Sequence, residues 1–132
     1  MSKKLRKIYV AGAITPYPLE NPVLGFLGNI KRGQRMAVKL ILNGFFPFCP
    51  FLDYQLFLQL HEGENITEKM IKDLSMAWLE VSDAVLVLPK YRKSTGTKLE
   101  IARAKELDIP VFYSIEDMID AEEENNGSTR TP

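Results

Sequence analysis

Glu100 stands four residues after Gly96, behind the small polar run Ser94-Thr95-Gly96-Thr97 and the apolar stretch Ala84 to Leu88. That order reads as a buried strand, a loop from Pro89 to Gly96, and a helix starting near Thr97. In an open α/β sheet, ligands gather where strands end and the following helices begin. Backbone N–H groups at Gly96 and Thr97, with the Ser94 and Thr95 hydroxyls, suit a phosphate or sugar hydroxyls. A helix beginning near Thr97 places Glu100 in its first turn, where the dipole favours the ionised form. A positioned, ionised carboxylate can attack or stabilise a sugar carbon with oxocarbenium character. A first-turn glutamate can equally serve only its own helix, and both readings stand at this point.

Other chemistry-bearing residues must be brought to the same edge by the elements that carry them. Lys7 to Ala11, KIYVA, reads as a first buried strand and holds Tyr9. The loop after it, Gly12 to Pro22, contributes Gly12, Ala13 and Thr15, and its prolines exclude a regular element there. A lone Gly12 is not a GxGxxG fingerprint, so a standard dinucleotide site is excluded. A second strand, Phe45 to Phe48, leads into Pro50 to Tyr54 and Asp53. The segment from Phe51 to Gly63 reads either as an inward-packing helix or as a lid, and ends beside His61. That single histidine is a candidate for acid–base work or a solvated residue at a helix end.

A helix over about Leu24 to Asn43 carries a basic outer face, and Asn43-Gly44 stops it. Another, Asn65 to Val81, shows an apolar stripe of Ile66, Met70, Leu74, Ala77, Trp78 and Val81. Asp73 lies at the edge of that stripe, within reach of Lys69 or Lys72. A last strand, Val111 to Ser114, and a short helix, Ile115 to Ala121, close the domain.

The 132 residues are enough for one domain. Residues 1–6 read as a flexible leader, 7–120 as the folded unit, and 121–132 as a disordered polar tail. Lys+Arg and Asp+Glu balance at 17 each, which removes a global charge argument for nucleic-acid or membrane binding. No apolar run approaches the roughly 20 residues of a bilayer span. One cysteine, Cys49, makes neither a disulfide framework nor a zinc cluster and suits a reducing cytoplasm. Strands alternating with helices predict a three-layer α/β sandwich, flavodoxin/Rossmann-like, with four or five parallel strands.

KIYVAGAIT near the start, SDAVLVLP, and then S-T-G-T-K-L-E-I-A-R-A together resemble the nucleoside 2-deoxyribosyltransferase family. The likeness covers about residues 7–115 and extends to the nucleoside-monophosphate N-glycosidases. It implies Glu100 as the nucleophile that takes C1′ of the sugar, with Tyr9 orienting it. Asp73 resembles the acid that handles the leaving base, although it stands two residues further from Trp78-Leu79 than in the hydrolases. Asp83 would cap or orient a strand start. The resemblance places Gly12, Ala13, Thr15, Asp53, Ser94 and Gly96 around the substrate. Ser94 leans towards a nucleotide, whereas Ala13 and Thr15 depart from the phosphate-binding pattern of the first loop.

Cleavage or transfer at the N-glycosidic bond of a (deoxy)nucleoside or its 5′-monophosphate is what this implies. Such chemistry needs no metal or redox cofactor, and relatives complete their sites as homodimers or larger assemblies. The alternative is a nucleotide-binding or sensing module that keeps the fold without turnover.

Overall fold

The computed structural model describes residues 5–12, 22–89, 91–92 and 94–127, with the backbone alone at 22, 26, 51–55 and 125–127. Four strands form one sheet: β1 (Lys7–Ala11), β2 (Phe46–Phe48), β3 (Ala84–Val87) and β4 (Val111–Phe112). All are parallel, in the order β2-β1-β3-β4. Parallel neighbours cannot be joined by tight hairpins, so each return needs a crossover. α1 (Pro22–Leu42), α2 (Glu68–Leu79) and α3 (Thr95–Glu106) supply the crossovers, and α4 (Ile115–Gly127) follows β4.

The sheet's side chains alternate, and this sorts the layers. Ile8, Val10, Ala84 and Leu86 pack with Ala37 and Leu40 of α1 and with Ile115 and Met118 of α4. Tyr9, Ala11, Val85 and Val87 face the other way, onto Leu79 of α2 and onto Ile101 and Ala104 of α3. The result is the expected three-layer α/β sandwich with four strands, in the order that flavodoxin-like sheets use. From β1 the chain first goes outward to β2, then crosses back to β3. The sheet's switch point therefore lies between β1 and β3.

Asp83 ties the two central strands together where they begin. Its Oδ2 accepts the backbone N–H groups of Arg6 at 3.1 Å and Lys7 at 2.8 Å. This is the orienting role expected of it. At the other end Gly12 leaves no room for a side chain, because an added Cβ would lie 2.8 Å from Leu88 Cδ1 and 3.0 Å from its Cβ. Gly12→Ala is therefore expected to destabilise the fold by about 1–3 kcal/mol through overpacking. Chemical denaturation of the two proteins, with unchanged m-values, checks this.

Several elements differ from what the residue pattern suggests. Phe51 to Gly63 contains neither an α-helix nor a fifth strand; a 3-10 helix, Pro50–Gln59, follows β2 directly. α4 continues past Ala121 to Gly127, beyond where a disordered tail was expected to begin. Glu122 on that extension pairs with Arg6 at 3.1 Å, and the ion pair anchors the added turns.

α2 is rotated from the expected phase. Met70, Trp78 and Val81 are exposed, while Leu79 is buried and Ile71, Ser75 and Met76 turn inward. Two apolar phases overlap on this helix, and the sheet takes the one whose central residue is small.

Candidate functional site

Tyr9 is the largest side chain that the sheet buries completely. It sits in β1 with Val85 of β3 on one side and Phe48 of β2 on the other. Its ring lies 5.7 Å from that of Phe48. A phenol buried in such a place needs a partner for its hydroxyl. Two helices provide partners: Tyr9 Oη donates to Glu100 Oε2 from α3, and Ser75 of α2 also hydrogen-bonds to it. Three elements thus meet at one polar cluster inside the α2/α3 layer.

Its electrostatics follow from burial. Desolvation pushes Glu100 up from 4.5 to about 7, and the hydrogen bond from Tyr9 holds it down against that rise. Tyr9 itself is raised, first by burial and then by the Glu100 charge, so it stays a neutral donor. The Ser75 hydrogen bond acts in the opposite direction on Tyr9.

This corrects the expected ionisation of Glu100. α3 starts at Thr95, two residues earlier than expected, and no acidic residue lies in its first turn. Glu100 is in the second turn, beyond the reach of the helix terminus. Burial wins, and the carboxyl is poised near neutrality.

Ser94 is the N-cap of α3. Its Oγ accepts the Thr97 N–H at 3.2 Å and the Thr97 hydroxyl at 2.8 Å. Both contacts use its acceptor side and leave its own O–H to point elsewhere. Gly96 is exposed, with open space where a side chain would be. It lies one helical turn, about 6 Å, ahead of Glu100 on the same face of α3. Ser94→Ala should cost about 1 kcal/mol through the lost cap. A lower melting temperature with unaltered far-ultraviolet dichroism checks that.

Asp73 is not brought to this cluster. It lies on the face of α2 opposite Ser75, largely exposed, and pairs with Lys69 at 2.7 Å. The helical phase that carries Ser75 inward carries Asp73 out. Asp53 follows β2 in the 3-10 helix, and its side chain lies outside the described residues, as do Ala13 and Thr15 entirely. His61 is exposed, and its backbone N–H donates to Glu64 at 2.8 Å. Cys49 is buried.

The residue that sequence reasoning missed is Ser75. It holds the middle of the inward phase Ile71-Ser75-Leu79, where a small polar side chain interrupts apolar neighbours one turn away on either side. That interruption was the available signal. Among the described residues, no group of three or more His, Cys, Asp or Glu is placed to hold a metal ion. Nor is any helix among them long and apolar enough to cross a membrane.

Fold and cluster together define a small three-layer α/β domain with a buried tyrosine bonded to a half-buried carboxyl beside its sheet's switch point. The chain belongs to the family described as a domain of unknown function, DUF7768, which matches residues 18–114. The match takes in Phe48, Ser75 and Glu100 but begins after β1 and Tyr9. No curated protein matches the chain.

Proposed function

We propose that the protein cleaves or transfers the N-glycosidic bond of a nucleoside or nucleoside 5′-monophosphate through a covalent adduct on Glu100. The observation that carries this reading is the hydrogen bond from Tyr9 to Glu100 at the switch side of a parallel sheet. A nucleophilic carboxylate has to be aimed and must not be held by a competing cation. Tyr9 does the aiming, because its ring is fixed by complete burial. Substrate approaches with C1′ at Glu100, and the sugar's 5′ end extends one turn back towards Gly96 and the Ser94 hydroxyl. As the C1′–N bond breaks, Glu100 takes C1′; water or a second base then displaces the carboxylate.

Asp73 has no part in this scheme, since its carboxylate is on the solvent side of α2. The same observation favours a second reading, a nucleotide sensor of the same fold. In either case the protein works in the cytoplasm, as a homodimer or larger assembly. Apolar side chains of α1 left open in the single chain, among them Leu24, Leu27 and Ile41, support the assembly.

Incubation with a panel of deoxynucleosides, ribonucleosides and their 5′-monophosphates, followed by chromatography for free base, tests the proposal. Released base supports turnover, and base exchange with an added acceptor identifies transfer. Saturable binding without released base means a sensor, and neither binding nor release removes both readings.

A further inference from the structure

An aromatic path leads from the Tyr9–Glu100 pair to the surface. Phe48, half-buried at the end of the edge strand β2, has its ring 5.7 Å from Tyr9 and 5.6 Å from Trp78. Trp78 follows Ser75 by three residues, so it lies close to Ser75's side of α2. It is 52% exposed although it is among the largest apolar side chains of the chain. Rings tilted by 35° and 52° to their neighbours form a stepped wall and not a closed stack. Trp78 keeps an exposed face at the outer end of this wall, and Phe48 and Tyr9 join it to the carboxyl.

The charge at the inner end of this wall is unbalanced. Glu100 is shifted by burial and by the Tyr9 hydroxyl, and no cation among the described residues contributes. A desolvated carboxyl beside open aromatic faces attracts a flat cation through both charge and ring quadrupole. A neutral heterocycle would gain stacking alone. An anionic group would be repelled from this end and belongs at the Gly96 end.

We propose that Phe48 and Trp78 form the subsite for a planar, positively charged nitrogen heterocycle, a pyridinium or N-alkylated purine, whose glycosidic carbon is presented to Glu100. The glycosidic part of this statement rests on the reading above; the ring subsite does not.

The chemistry of departure agrees with the choice of ring. Tyr9 and Ser75, the hydroxyls at the cluster, are weak acids, poorly suited to protonating a leaving base. A cationic ring needs no proton to leave. As the Glu100 oxygen bonds to C1′, the C1′–N bond breaks and its electron pair neutralises the ring nitrogen. Water then adds at C1′, the C1′–O bond to Glu100 breaks, and the water's proton passes to solvent. The balance is N-glycosylated heterocyclic cation plus water giving free sugar, neutral heterocycle and one proton.

Trp78 is the chain's one tryptophan, so its emission reports the subsite directly. Wild-type protein is titrated with 1-methylnicotinamide, a cation, and with nicotinamide, its neutral counterpart. Free N-acetyltryptophanamide serves as the collisional control. Saturable quenching is expected for the cation, about tenfold tighter than for the neutral ring. Glu100→Gln should remove that preference, and Phe48→Leu should weaken both ligands. Quenching that stays linear and matches the control, or equal affinity for both rings, overturns the subsite. Emission that follows protein concentration and ignores ligand also overturns it, by showing Trp78 covered by a second copy.

A release assay with nicotinamide mononucleotide beside neutral deoxynucleosides separates the two proposals. Release from neutral substrates without cation binding removes the subsite and leaves the glycosidic reading. Cation binding without release from any substrate does the reverse.

Discussion

Glu100→Gln is expected to lower base release by about 10³-fold or more while leaving the protein folded and, above neutral pH, more stable than wild type. The activity term follows from electron supply. The amide keeps the shape of the carboxyl and can still accept the Tyr9 hydroxyl, but it cannot form or release a glycosyl ester. Single-turnover chromatography of released base, with circular dichroism on the same samples, separates lost chemistry from lost structure. Base release within tenfold of wild type would remove Glu100 from the mechanism.

The stability term follows from the same burial. A carboxyl at about 7 in the fold and 4.5 when unconstrained binds its proton more tightly in the native state. Its contribution is therefore complete below about pH 4.5 and is lost as the pH rises through 7. The difference amounts to about 3 kcal/mol once both states are ionised. Glutamine does not titrate, so the variant should be spared this loss. Denaturant melts of both proteins at pH 5 and pH 8.5 measure it, with the gap between them opening on the alkaline side. Parallel pH dependences would mean that Glu100 is solvated in the fold.

How much of this could be read from the residues depends on how local the cause was. KIYVA and AVLVL are uninterrupted apolar runs, and strands buried on both faces have that appearance, so the parallel sheet was legible. Glu100 and Tyr9 were singled out by type and position, and the structure brings them together. Their protonation was not legible, because it depends on which turn Glu100 occupies and on how much water the neighbouring helix excludes. Ser94 starting α3 two residues early moved Glu100 from the first turn to the second.

The phase of α2 was the harder question. Met70-Leu74-Trp78 and Ile71-Ser75-Leu79 are both spaced at four residues, and periodicity alone prefers the more apolar set. The sheet needs a small polar residue against Tyr9, and that tertiary requirement turns Ser75 in and Asp73 out. The 3-10 helix after β2 has a similar origin, since Pro50 and a dense apolar run fit several short structures equally well.

Tyr9→Phe should reduce kcat/KM at pH 7 by about 10–100-fold and move the acidic limb of the pH profile upward. The phenyl ring fills the same buried space beside Phe48, so packing is largely kept and the hydroxyl alone is lost. Glu100 then loses the hydrogen bond that holds it down, and burial carries it further above 7. Attack needs the ionised carboxylate, so less of the protein is competent at neutral pH and more is recruited as the pH rises. Part of the deficit should therefore return by about pH 9, whereas Glu100→Gln should stay inactive at every pH. A uniform loss across the profile, with the limb unmoved, would make Tyr9 a packing residue that does not tune the nucleophile. Recovery confined to the tyrosine variant would instead separate its two effects, because aim lost with the hydroxyl persists at high pH while lost ionisation does not.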